Sequence, residues 1–411
     1  MENYIIYCID NYNGRSGAGA SNALRFLITR NSKLYNYKLY CKNYNKGDLQ
    51  DIIPEIATGK EIVDEFVKGD YKCIHWLRAE SCELYLEMIK EIKSRKLEIP
   101  IISTICQQPD APGFFLGPME VKYPSRIVFI DDTAYNNYNF RFIPSSRKLM
   151  LRFGGLSKET FENADRILNS IGKGKNDTIV YGRGSSLNKC PKNMFDIFDR
   201  IAYPKKFIIV GKGEMDWIQK EISKRDYEII LLDSMPYNQW LETVATFDIF
   251  LYHLPMEAYS STDGTMMNAM LMKKPVVYLG PDAPREILVD NVNARIAQSE
   301  EQLVKYCNEL AKNEQERIRL GENARKTCEQ FQTCEQFFET INRLYDNIKP
   351  SSPIRLSLFY LYAYLTYKYR QGKKWPWHDE QLYVFSRIND FRRRFAIKTR
   401  IRSMLFQDRT K

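Results

Sequence analysis

Short runs of β-branched and aromatic residues alternate with helical patterns from the first residues onward, and this alternation limits the fold more than any single motif does. It opens with Tyr4–Ile9, a glycine-containing turn and the helical stretch Ala20–Arg30. Further strands are expected at Cys73–Trp76, Ile101–Ile105, Arg126–Ile130 and Lys148–Arg152, with amphipathic Ser81–Arg95 feeding Pro100 as a connecting helix. A patch rich in Lys, Gly and Asn, Gly172–Asp177, precedes a second series: Thr178–Tyr181, Phe207–Val210, Glu228–Leu232, Asp248–His253 and Pro275–Leu279. Such alternation builds parallel sheets covered by helices, so the chain reads as a doubled α/β plan with its seam near residues 153–177. After Glu300 the pattern turns helical, and Thr333–Ile348 carries Phe337, Phe338, Ile341, Leu344 and Ile348 at helical spacing.

The length of 411 residues suits two domains and an appendage. Of 61 basic and 51 acidic residues, fourteen and four fall in Ser351–Lys411, which leaves 47 of each sign in the rest. The positive excess is therefore local to the tail. Nine scattered cysteines without a C-x-x-C pair point to reduced, cytoplasmic chemistry. Three isolated histidines, His75, His253 and His378, offer little material for a metal site, and none is expected. Met1–Cys8 lacks the basic opening and long apolar core of an export signal, and no segment reaches the ~18 apolar residues of a membrane span.

The chemistry-bearing segments sit in loops. Ser260-Ser261-Thr262-Asp263-Gly264-Thr265 opens a helix containing Asn268, Ala269, Met270 and Leu271. Such a helix start offers free N–H groups and a positive dipole end to a phosphate or sugar hydroxyl; equally, it is an ordinary capped helix with core methionines. Near the N-terminus, Asn13–Ser21 joins the first strand to the first helix, and Gly17 and Gly19 allow close backbone approach.

The order of motifs through the second half resembles the C-terminal domain of family 4 retaining glycosyltransferases (glycosyl transferases group 1), which have the GT-B fold. The matching residues are Phe247-Asp248-Ile249-Phe250, Asn268-Ala269-Met270, Pro275-Val276-Val277, Glu286-Ile287 and Asn293. Upstream, Tyr181-Gly182-Arg183 with Lys189, and Ile209-Val210-Gly211-Lys212-Gly213, extend the likeness. It implies two facing Rossmann-like domains, 1–153 on the acceptor side and 154–332 holding a nucleotide-sugar. A crossover helix within 333–350 returns to the first domain, and a basic aromatic helical tail covers 351–411. Pro350 and the following Ser-Ser-Pro are expected to close the globular part. By the same resemblance, Arg183 and Lys189 neutralise the donor diphosphate. Gly17 and Gly19 face the donor phosphates or the acceptor, and Ser260, Gly264, Thr265 and Asn268 contact the donor.

One departure matters. Where the family usually places a pair of glutamates, this chain has Ser260 and Asn268, neither of which brings negative charge. Asp263 is the preferred substitute for the first, ahead of Glu257. The implied reaction is a retaining, metal-independent Leloir transfer of a sugar from a nucleotide-diphosphate donor to a saccharide or lipid-linked acceptor. No cofactor beyond that donor is expected. An epimerase or phosphorylase on the same scaffold, or a non-catalytic glycan- or partner-binding subunit, are the alternatives.

In the tail, Leu356–Tyr367 interleaves aromatics with apolar residues, and Lys368, Arg370, Lys373, Lys374, Trp375, Trp377 and Arg392-Arg393-Arg394 follow. This composition suits an anionic membrane surface on the inner face of the cytoplasmic membrane, or a helix packed on the body; nucleic acid is the weaker reading.

Overall fold

The computed structural model describes residues 4–14, 19–47, 51–78, 82–106, 109, 115–152, 156–170, 179–181, 190–202, 206–210, 215–233, 235–256, 264–331 and 333–370. In the first half, β1 (Tyr4–Asn13), α1 (Gly19–Asn31), β2 (Asn36–Asn45), β3 (Glu55–Ile56), α2 (Gly59–Lys68), β4 (Tyr71–Arg78), α3 (Glu83–Ser94), β5 (Ile101–Ile105), α4 (Pro118–Lys122), β6 (Arg126–Phe129), α5 (Asp132–Tyr135) and β7 (Lys148–Met150) follow one another. The strands form a parallel seven-stranded sheet in the order β3-β2-β1-β4-β5-β6-β7. β1 is apolar over Ile5–Ile9 and buried on both faces, as a central parallel strand must be. Two apolar clusters cover the faces, one around α1 and the other around α2 and α3.

The second half runs through α6 (Lys158–Ser170), β8 (Ile179–Tyr181), α7 (Met194–Arg200), β9 (Lys206–Val210), α8 (Met215–Ile222), β10 (Glu228–Leu232), α9 (Tyr237–Ala245), β11 (Ile249–His253), α10 (Gly264–Leu271), β12 (Val276–Leu279), β13 (Ala294–Ile296), α11 (Glu300–Lys312) and α12 (Glu314–Gln330). Its parallel six-stranded sheet has the order β10-β9-β8-β11-β12-β13. The architecture is the doubled α/β plan with two Rossmann-like sheets. Three strands were absent from the sequence reading: β2, β3 and β13.

α13 (Cys334–Asn347) starts at Thr333, whose hydroxyl accepts from the Gln336 N–H while the Gln336 side chain accepts from the Thr333 N–H. Phe337, Ile341, Leu344 and Tyr345 form its inner face and join the first sheet's core beside β1 and β4. The helix thus returns from the second half to the first.

The globular part does not close at Pro350, contrary to the sequence expectation. Ile354 and Leu356 are buried, and α14 (Leu358–Arg370) sends Tyr360, Leu361 and Tyr364 into a cluster with Phe115, Phe129 and Phe140. Tyr360 Oη donates to the Leu116 carbonyl at 2.6 Å. Fully burying one side chain of this size is worth roughly 1.5–3 kcal/mol, so this stretch belongs to the first domain.

Candidate active site

Open α/β sheets bind ligands outside the carboxyl ends of their strands, where strand order reverses. In the first sheet that point lies between β1 and β4, and in the second between β8 and β11. The two carboxyl edges face each other. The turn Ala283–Glu286, which follows β12, meets the start of α5, which follows β6. Glu286 accepts from the Asp132 N–H at 2.9 Å and from the Thr133 N–H and hydroxyl, both at 2.6 Å. Arg152, just past β7, donates to Asp132 at 2.5 Å and to Glu286 at 3.3 Å, and its guanidinium lies 5.0 Å from the Phe331 ring centre.

On the second sheet, α10 begins beyond β11 and is held by its far end. Arg325 of α12 donates to the Leu271 carbonyl at 2.9 Å, a cation at a helix C-terminus where the dipole favours one. Cys328 Sγ lies 3.8 Å from the Met267 carbonyl oxygen, and Gly321 packs on the backbone of Lys273, which adopts a φ of 57°. At the opposite end, a β carbon added to Gly264 would meet no described residue within 4 Å. One helix is therefore clamped at its carbonyl end and starts beyond β11, a strand that flanks the strand-order reversal, and a helix start at that place suits an anion.

Of the sequence-assigned residues, Gly264, Thr265 and Asn268 sit together on the first turns of α10, and Gly19 opens α1. Asn268 is nearly buried, and its Oδ1 accepts from the Tyr237 hydroxyl at 3.0 Å. The amide N–H groups make no hydrogen bond to a described residue. Asn268 can thus donate to a ligand, where a glutamate would accept. Arg183, Lys189, Ser260, Asp263, Glu257 and Gly17 lie outside the described residues. Tyr237, at the start of α9, and Glu286, as the link between the sheets, are contributions that sequence reasoning did not assign.

Other polar groups near the cleft are structural. His75 is buried with Nδ1 2.6 Å from the Tyr345 hydroxyl and Nε2 2.7 Å from the Thr104 hydroxyl, and burial pushes its pKa down to about 3. His253, ending β11, is pushed down to about 4 by burial. Arg78, ending β4, pairs with buried Glu120. Asn293, which matched the motif, donates to the Ile287 carbonyl and to the Thr327 hydroxyl, both at 2.9 Å, and accepts from the Val289 N–H at 2.7 Å. It holds a loop and faces no ligand site. Among the described residues no cluster of His, Cys, Asp or Glu is arranged to hold a metal ion, and no helix is long and apolar enough to cross a membrane.

Residues 162–327 match the sequence model of the family described as Glycosyl transferases group 1. No curated protein sequence matches the chain. Among solved structures, HepE of Anabaena in complex with UDP is similar, with a TM-score of 0.66 at 13% identity over 84% of this chain and 100% of that one. Sucrose-phosphate synthase of Thermosynechococcus elongatus gives 0.63 at 10% identity over 84% and 98%. WaaG, a glycosyltransferase involved in lipopolysaccharide biosynthesis, gives 0.56 at 12% identity over 82% and 99%. At such identities the likeness is one of fold. The chain therefore has the GT-B fold, and the part of it at 162–327 is similar to the glycosyl transferases group 1 family.

Proposed function

We propose that the protein is a Leloir glycosyltransferase that moves a sugar from a nucleoside diphosphate donor to a saccharide or lipid-linked acceptor at an anionic membrane surface, in surface glycan biosynthesis. The observation that carries this reading is α10, clamped by α12 at its carbonyl end and starting beyond β11 where the strand order reverses, within the segment that matches the transferase family model. In this reading the helix N-terminus and the residues Arg183 and Lys189 stabilise the charge that grows on the departing diphosphate, work that fixed cations and N–H dipoles do without a metal. By the same reading Ser260, Gly264, Thr265 and Asn268 contact the donor, Asp263 takes the role of the missing first glutamate toward the transferred sugar, and Gly17 and Gly19 serve the donor phosphates or the acceptor. Transfer with retention of anomeric configuration follows from the family resemblance. The uridine nucleotides bound to HepE support UDP-sugars as the first donors to try.

A ligand that binds only the native state raises its apparent stability. UDP or another nucleoside diphosphate is expected to raise the thermal midpoint of the full chain, and Arg183→Ala or Lys189→Ala to reduce that rise. Activity unchanged by EDTA is expected with the matching sugar donor. If no nucleotide in a panel of UDP, GDP, ADP and TDP stabilised the protein, the transferase reading would fail in favour of a non-catalytic subunit.

A further inference from the structure

The chain that leaves β12 is held in one shape by its own bonds. Tyr278 Oη donates to the Pro281 carbonyl, and the Arg285 N–H donates to the Asp282 carbonyl at 2.8 Å. The N–H groups of Ile287 and Leu288 both donate to the Pro284 carbonyl, at 3.2 and 3.0 Å. A β carbon added to Gly280 would stand 2.9 Å from the Leu254 β carbon, so the turn is packed on the segment that leaves β11. Ala283 and Pro284 are buried, and Glu286 reaches the start of α5 in the first domain. This fixed turn carries Arg285 at the carboxyl edge of the second sheet, beside the junction of the two domains.

Arg285 spends its hydrogen bonds differently from Arg78 and Arg152, which stand at the carboxyl edge of the first sheet. Arg78 is paired with buried Glu120, and Arg152 with Asp132 and Glu286. Arg285 makes a 3.5 Å contact from Nη2 to the Gly280 carbonyl, and its Nε lies 3.8 Å from a carboxylate oxygen of Asp282, which is 82% exposed. An ion pair of that length with an exposed partner contributes little. The Nε is buried and donates to none of the described residues, although the side chain as a whole is 29% exposed. A shielded cation with donors left over, on a turn too rigid to carry it away, suits an anion.

The strand order separates this cation from the start of α10. That helix begins beyond β11, which flanks the reversal, whereas Arg285 follows β12, one strand spacing or about 5 Å further out. Two features suited to anions therefore lie side by side along the same edge, the outer one next to the first domain. We infer that Arg285 is the centre of a second anion site, which takes a phosphate group of the acceptor. The guanidinium fork matches phosphate through two parallel hydrogen bonds, and neighbouring Glu286 brings the site against the first domain. The assignment to an acceptor rests on the transferase reading, whereas the anion site itself does not.

The test titrates the full-length chain with inorganic pyrophosphate under saturating UDP, which fills the site at α10, and repeats the titration without UDP. The UDP-saturated parent is expected to bind pyrophosphate. Arg285→Gln should weaken that binding about tenfold or more, and Arg285→Lys by less, because a point charge replaces the fork. Asp282→Asn should tighten it about two- to fivefold, since it removes the competing carboxylate and Asp282 caps nothing in the turn. All three variants should keep the parental thermal midpoint and UDP affinity. The assignment is overturned if the UDP-saturated parent binds no pyrophosphate or if Arg285→Gln binds it like the parent. It is also overturned if Arg285→Gln loses UDP affinity in the same proportion, which would put Arg285 on the donor diphosphate. A parent that binds pyrophosphate through Arg285 without any UDP-induced rise in thermal midpoint would sink the transferase reading and leave the anion site standing.

Discussion

A β carbon on Gly321 would stand 2.0 Å from the Lys273 carbonyl oxygen and 2.7 Å from its carbon. Both neighbours are backbone, in a turn where Lys273 already holds a left-handed conformation, so the crowding cannot be relieved by turning a side chain. Gly321→Ala is expected to cost roughly 1–3 kcal/mol, as overpacking does. Because the displaced backbone is the carbonyl end of α10, the UDP-induced rise in thermal midpoint should shrink as well. Urea unfolding with and without UDP measures both effects. A variant as stable as the parent would show that the helix is not gripped there. Asn293 gives a complementary lesson at this scale. Its place in the motif was readable from sequence, but its work was not, because its partners are two backbone groups and Thr327, which lies 34 residues away.

Among elements, legibility followed burial. β1 and β11 are buried almost throughout, and their continuous apolar runs announce them. β2 is one strand from the sheet edge and spends Lys38 and Lys42 on Glu55 and Glu83, so its mixed sequence gives no such run. α14 carries aromatic and apolar residues all round, so its buried face has no polar contrast to reveal it. α13 was readable from its spacing, but its polar anchor was not. Tyr345 reaches His75 of β4 across 270 residues. That anchor predicts a pH dependence. The folded pKa of His75 lies near 3, below the ordinary 6.5, so the unfolded chain takes up the proton first. The stability contributed by neutral, bonded His75 is complete above about pH 6.5 and is lost as pH falls toward the folded value, by up to roughly 3 kcal/mol at about pH 4.5. His75→Gln should be less stable than the parent at pH 8, and the gap should narrow at pH 5, because all other titrating groups are shared. A gap of equal size at both pH values would contradict this account.

At the scale of the whole molecule, one carboxylate links loops of the two sheets. The first-turn N–H groups of α5 are satisfied from two sources. Asp131 of the first domain takes Ala134 at 2.7 Å, and Glu286 of the second takes Asp132 and Thr133. Arg152 ties that carboxylate to the chain just past β7, and both Arg152 and Glu286 are largely shielded from water. Removing Glu286 leaves two N–H donors without that acceptor and takes one carboxylate partner from Arg152. Each lost hydrogen bond to a charged group is worth about 1.5–3 kcal/mol. The remaining links between the halves include the α13 connection and the bridge between Leu156 and Thr333. Glu286→Ala is therefore expected to let the domains separate while each keeps its own core. Paired spin labels on exposed sites of α2 and α11 should report a longer and broader distance in the variant, with the unfolding midpoint of each domain little changed. Glu286→Gln, which keeps one acceptor oxygen, should fall between. Since a ligand bridging the cleft must restore the closed arrangement without this contact, the UDP affinity of Glu286→Ala should drop only if UDP touches both domains. An unchanged distance distribution in Glu286→Ala would show that the domains are held together by other contacts.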